Sequence, residues 1–153
     1  MAMRLVFSAA LAAIALLAAP VQAQPNRSAS PAATLTVADG VATVAATVGG
    51  ADRNAVPGNG CSGYIDNGTP TVAVALAEAG PLAIYAASDT DTTLLVLDPS
   101  GRWHCSDDAR GSDPAVTFSQ AASGTYKVWV GVFSPDAAGA SAQVSAVRGE
   151  PRW

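Results

Sequence analysis

Residues 88–108 read SDTDTTLLVLDPSGRWHCSDD, and this stretch limits the possible folds more than any other in the chain. Two β-branched, aliphatic and aromatic runs flank Asp98-Pro99-Ser100-Gly101, with Pro at the second and Gly at the fourth position of a type I turn. The segment is predicted to be an antiparallel hairpin with Asp98 opposite Gly101. In that register Trp103 and Cys105 share the side of Leu94 and Val96, the expected core side, and His104 faces away from it. Asp91 then lies opposite Asp108, with Asp89 two residues away on the same face. Like charges facing each other across a ladder are destabilising unless a cation or solvent separates them. The acidic rim is therefore a candidate calcium site, since calcium takes about six to eight oxygens that carboxylates and carbonyls of adjacent loops can supply. Asp89, Asp91 and Asp108 are the leading ligands, with Asp107 and Asp113 as flexible additions. The bland alternative is that these residues form turns and solvated edges.

The same grammar runs through most of the chain. Residues 35–37 and 41–48 read as two strands around Asp39-Gly40, and 49–60 as a loop. Residues 62–65, 71–77, 82–87, 114–119 and 141–147 are further short strands. In 125–133, the strongest strand, Tyr126, Val128, Val130 and Val132 alternate with Thr125, Lys127 and Trp129. No segment beyond the N-terminus sustains a 3.6-residue period. About nine short strands with regular turn signals predict an all-β fold, an antiparallel β-sandwich of jelly-roll type.

Arg4 and the apolar run 5–19, followed by Val21-Gln22-Ala23, read as a secretory signal over 1–23. Residues 24–33 read as a disordered leader, 34–148 as one sandwich domain, and 149–153 as a tail without pattern. The chain is thus expected to be exported, to the periplasm or the medium, with no membrane span. In that compartment the two cysteines, Cys61 and Cys105, are expected to form one disulfide. Carboxylates outnumber Lys and Arg, and no basic run exists, which argues against nucleic acid and anionic membranes.

From residue 49 onward the motifs Gly49-Gly50, Cys61-Ser62-Gly63-Tyr64-Ile65, Pro81-Leu82-Ala83-Ile84, Ser88-Asp89-Thr90-Asp91-Thr92-Thr93-Leu94, Gly101-Arg102-Trp103-His104-Cys105-Ser106-Asp107-Asp108 and Ser123-Gly124-Thr125-Tyr126-Lys127-Val128-Trp129-Val130-Gly131 occur in an order that resembles the bacterial pre-peptidase C-terminal domain. The closer resemblance is to a stand-alone secreted subgroup often labelled as peptidase-related. It implies a non-catalytic β-sandwich, calcium in some members, and partners such as a secreted protease, a protein substrate or a polysaccharide.

Catalysis finds little footing in the sequence. The single histidine, His104, sits in mid-strand beside Ser106 and Asp107, with no Gly-x-Ser-x-Gly elbow. Tyr64, Phe118, Tyr126 and Trp103 occupy expected core positions. Ser123-Gly124-Thr125-Tyr126 resembles the tyrosine corner of sandwich folds. Trp129 and Phe133 fall on the opposite face of their strand and form a candidate binding surface for a peptide or a sugar ring. The expected role is a calcium-stabilised, non-catalytic binding or supporting module. The alternatives are a secreted hydrolase and a purely structural envelope protein.

Overall fold

The computed structural model describes residues 24–54 and 61–153. Its strands are β1 (Ala33–Val37), β2 (Ala42–Val48), β3 (Asp52–Arg53), β4 (Tyr64–Ile65), β5 (Val72–Leu76), β6 (Gly80–Ala87), β7 (Thr92–Leu97), β8 (Trp103–Ser106), β9 (Ala115–Ala121), β10 (Gly124–Val132) and β11 (Ala140–Val147). A single turn of 3-10 helix covers Pro135–Ala137. The expected signal over 1–23 and part of the expected loop 49–60 lie outside the described residues. No helix among the described residues is long and apolar enough to cross a membrane.

The strands form two sheets, a β-sandwich. Four strands run in the order β2-β11-β6-β9. The other sheet has seven strands and is organised by β10, the run with the clearest alternation in the sequence. One edge of β10 pairs with β5 and then, at Val132, with β4; its other edge pairs with β7, which carries β8. β1 lies beyond β5 and is parallel to it, the one parallel pair among the described residues of a sheet expected to be antiparallel. Asp39-Gly40 does not close a hairpin. It carries the chain from β1 in one sheet to β2 in the other. β3 arises inside the expected 49–60 loop and pairs with β4.

Alternation builds the core between the sheets. Val72, Val74, Leu76, Leu94, Val96, Tyr126, Val128 and Val130 of one sheet pack on Leu82, Ile84, Val116, Val144 and Ala146 of the other. Each fully buried aliphatic side chain contributes about 1.5–3 kcal/mol against the entropy of ordering the chain. Tyr126 donates its hydroxyl to the carbonyl of Ala122 at 2.8 Å, the tyrosine-corner bond read from the sequence. Burial first, and then the charge of Asp98, push its phenol pKa up.

The outer faces are covered too. On the seven-stranded sheet Ile65, Leu95, Leu97 and Trp129 form a second cluster, topped by half-buried Trp103 and Cys105. On the other sheet Ala83, Tyr85 and Val147 form a third, and the tail closes over it. Trp153 meets Tyr85 edge-on with ring centres 4.8 Å apart, and the Tyr85 hydroxyl donates to the Arg152 carbonyl at 3.0 Å. Of the leader 24–33, expected to be disordered, the part before Ala33 is strapped down and Ala33 opens β1. Lys127 Nζ donates to the carbonyls of Arg27 and Ala29 at 2.6 and 2.8 Å, and the Arg27 guanidinium stacks 5.1 Å above Trp103. An ammonium beneath two carbonyls and a guanidinium on an indole hold a segment whose own composition would not fold.

Candidate functional site

The hairpin forms where expected, one residue out of register. Gly101 N donates to Asp98 O and Asp98 N to Arg102 O, both at 2.9 Å. Gly101 takes the left-handed conformation (φ 84°), so it adds a third loop residue after the type I turn. Leu97 therefore faces Trp103, Leu95 faces Cys105, and Val96 faces His104. One step of register moves every side chain to the other face. Trp103 and Cys105, expected in the main core, lie in the outer cluster. His104, expected to face away from the core, lies on the inner side and meets Phe118 edge-on at 4.8 Å.

That register gathers a polar cluster at the turn. Asp98 is 7% exposed and accepts from Ser100 N (2.9 Å), Ser100 Oγ (2.6 Å) and Arg102 N (3.0 Å) on Oδ1. On Oδ2 it accepts from His104 Nε2 (2.9 Å) and Arg102 Nε (3.3 Å). Burial alone would raise its pKa. The hydrogen bonds of Ser100, His104 and Arg102 outweigh burial and hold the carboxyl well below the usual carboxylate range. Serine, histidine and aspartate are thus together, but not in series: Ser100 Oγ and His104 Nε2 both point at the carboxylate. A nucleophile needs its hydroxyl on the imidazole, with the acid behind it. Ser106 Oγ accepts from Ala115 N at 3.2 Å. The recess beside the turn, about 90 Å³ and lined by Phe118, Gln120 and Tyr126, is smaller than a substrate pocket. The cluster is a rigid turn.

The five carboxylates expected to hold calcium separate into two groups. Asp113 accepts Ser88 N at 3.1 Å and pairs with Arg110 at 3.5 Å, beside Asp89 in an open cleft of about 410 Å³. Asp91, Asp107 and Asp108 crowd the neighbouring rim. Burial, then Asp108, then Asp107 push the Asp91 pKa up. Asp91 and Asp108 are not a cross-strand pair, because the β7–β8 ladder ends at Leu94–Ser106. Among the described residues no three Asp, Glu, His or Cys side chains form a group that could hold a metal.

The disulfide joins Cys61 to Cys105 across 44 residues of sequence. It ties the segment before β4 to β8, outside the sandwich. Backbones approach closely where β4 meets β7 and β10. A Cβ on Gly131 would lie 2.5 Å from Thr93 Oγ1 and 2.8 Å from Tyr64 O, and one on Gly63 would overlap Thr93 as well. The Gly-Tyr and Val-Gly-Val steps of these motifs are therefore packing requirements.

The candidate aromatic surface divides as well. Trp129 is 1% exposed, sealed by Trp103 with ring centres 5.3 Å apart, and offers nothing to a ligand. Phe133 is 55% exposed. Its N–H donates to Asp91 O at 3.0 Å, which fixes the chain just past β10. With Arg53, Ser62, Gly63, Tyr64, Ser134 and Pro135 it lines an open cleft of about 340 Å³. Tyr64 is half-buried, packs against the main core as its position read, and also lines the cleft. Among the described residues Arg53 enters no ion pair. Nothing in the sequence singles out Arg53, whose two-residue strand is too short to leave a pattern.

No protein-family model matches the chain, and no curated protein matches it. Among solved structures it is similar to the pre-peptidase C-terminal domain of a collagenase from Bacillus anthracis, with 13% identity and a TM-score of 0.48, over 79% of this chain and 98% of that one.

Proposed function

We propose that this chain is a non-catalytic β-sandwich module that binds or braces a secreted protein or polysaccharide partner through the Phe133 cleft. The observation that carries the reading is the exposure of Phe133 in a cleft shared with Tyr64, Pro135 and Arg53, which among the described residues enters no ion pair. Aromatic faces offer contact area with few rotors to freeze, and a guanidinium beside them adds a directional donor. The arrangement at Asp98 supports a module without turnover, because it commits the serine and the histidine to one carboxylate.

The test is co-sedimentation with insoluble gelatin, peptidoglycan and cellulose, using wild type and Phe133→Ala. Wild type is expected to be retained on one of these. Phe133→Ala is expected to lose about tenfold in retention with its Tm unchanged, because the ring packs on little. Equal retention of both proteins would remove the cleft from the reading. Hydrolysis of casein or a chromogenic peptide that disappears in His104→Ala would replace the reading with a hydrolase.

A further inference from the structure

We infer that β2 is a self-pairing edge, through which two copies of this chain join their four-stranded sheets across a twofold axis at Ala45. Among the described residues β2 is an outer strand of that sheet, hydrogen-bonded on one side only, to β11. The groups on its other side are a template for a further strand. Other edges are blunted: β9 carries a register irregularity against β6, β3 has two residues, and β8 has four and is fastened by the disulfide. β1 has five residues and begins two residues after Pro31. β2 has seven, and no proline or charge lies between 41 and 48. On a chain of net charge −4, this neutral strip is where two like-charged copies can approach.

The sequence of β2 selects the occupant. Ala-Thr-Val-Ala-Ala-Thr-Val reads nearly the same in both directions about Ala45. An antiparallel copy centred there sets Thr43 against Thr47 and Val44 against Ala46, with Ala45 facing itself. A twofold interface demands this reciprocity, since residue i meets j wherever j meets i. Thr–Thr pairs and small aliphatic pairs are favourable neighbours across such a ladder. The inner face also has room to gain. Ala42, Val44 and Ala46 are half-buried, whereas Ala146, Val144 and Ala142, directly opposite on β11, are buried. A second strand supplies the missing side.

Sedimentation equilibrium over a wide concentration range tests the state, and cysteine scanning tests the register. Wild type is expected to approach twice the monomer mass. Ala45→Lys, exposed in the monomer, is expected to keep its Tm and weaken association at least about tenfold, because two ammonium groups would meet on the axis. Ala45→Cys is expected to oxidise to a covalent dimer, as directly opposed residues stand about 4.5–5.5 Å apart, within disulfide reach. Thr47→Cys, which faces Thr43, is expected to crosslink far less. A monomer at every concentration, a dimer that survives Ala45→Lys, or equal crosslinking at 45 and 47 would overturn the proposal.

Discussion

His104 Nε2 donates a 2.9 Å hydrogen bond to Asp98 Oδ2, joining the middle of β8 to the last residue before the turn that creates it. The same carboxylate holds Ser100 and both the backbone and side chain of Arg102. Replacing Asp98 with Ala removes the buried acceptor that all of these donors share, although the exposed Ser100 and Arg102 can turn to water. The expected loss is about 2–3 kcal/mol in urea denaturation, while His104→Ala alone costs less because four donors remain.

The sign of the pH dependence follows from the direction of the Asp98 shift. Its pKa is lower folded than unfolded, so the unfolded chain takes the proton first as pH falls. The stability it contributes is complete above about pH 5 and is lost as pH drops through the ordinary carboxylate range toward the depressed folded value. Denaturation curves between neutral and acidic pH are expected to be flatter for Asp98→Asn than for wild type. Asp91 has the opposite sign, because burial and its acidic neighbours raise its pKa. Its favourable contribution is lost as pH rises through that raised value. Asp91→Asn is expected to gain about a few tenths of a kcal/mol at neutral pH, the repulsion being screened by solvent.

Calcium is expected to leave the Tm unchanged, because Arg110 already pairs with Asp113 and no three carboxylates among the described residues form a group that could hold a metal. Thermal melts with calcium and with EGTA provide the check. A rise of several degrees that disappears in Asp91→Asn would show that the rim closes around an ion.

Gly131→Ala is expected to destabilise the protein by about 2 kcal/mol or more, through overpacking against Thr93, Ile65 and the Tyr64 carbonyl. Adding Thr93→Ala is expected to recover part of the loss, since Thr93 Oγ1 is the nearest obstacle. A double variant no more stable than the single one would place the strain at the Tyr64 backbone.

The strand inventory was legible because alternation and turn residues are local. Tyr126 and its corner, the β10 pattern and the Cys61–Cys105 link could all be read without coordinates. What could not be read is instructive. Every residue of β7 is buried, so it offers no polar face from which to choose a register, and Asp-Pro-Ser-Gly closes a two- or a three-residue loop equally well. The one-step error then misplaced His104, Trp103 and Cys105 together. Asp39-Gly40 signalled a reversal but not which sheet would receive the chain. Trp129 read as part of a candidate binding face because alternation assigns a face, not what covers it. Its cover comes from distant residues, Trp103 and, above that, Arg27. The leader misled for the same reason: Lys127, which anchors it, lies a hundred positions away.

Because Cys61–Cys105 lies in the outer cluster and not between the sheets, reductant should act on the molecule in two stages. Closing so long a span is worth about 4 kcal/mol on the chain-entropy estimate, yet what it clamps is a veneer, the segment before β4 fastened to β8 over the outer cluster. A thiol-rich surrounding would peel that veneer first, dimming or shifting tryptophan emission while the far-ultraviolet signature of the paired sheets persists. The molecule would register the redox state of its surroundings on its skin before its body gave way.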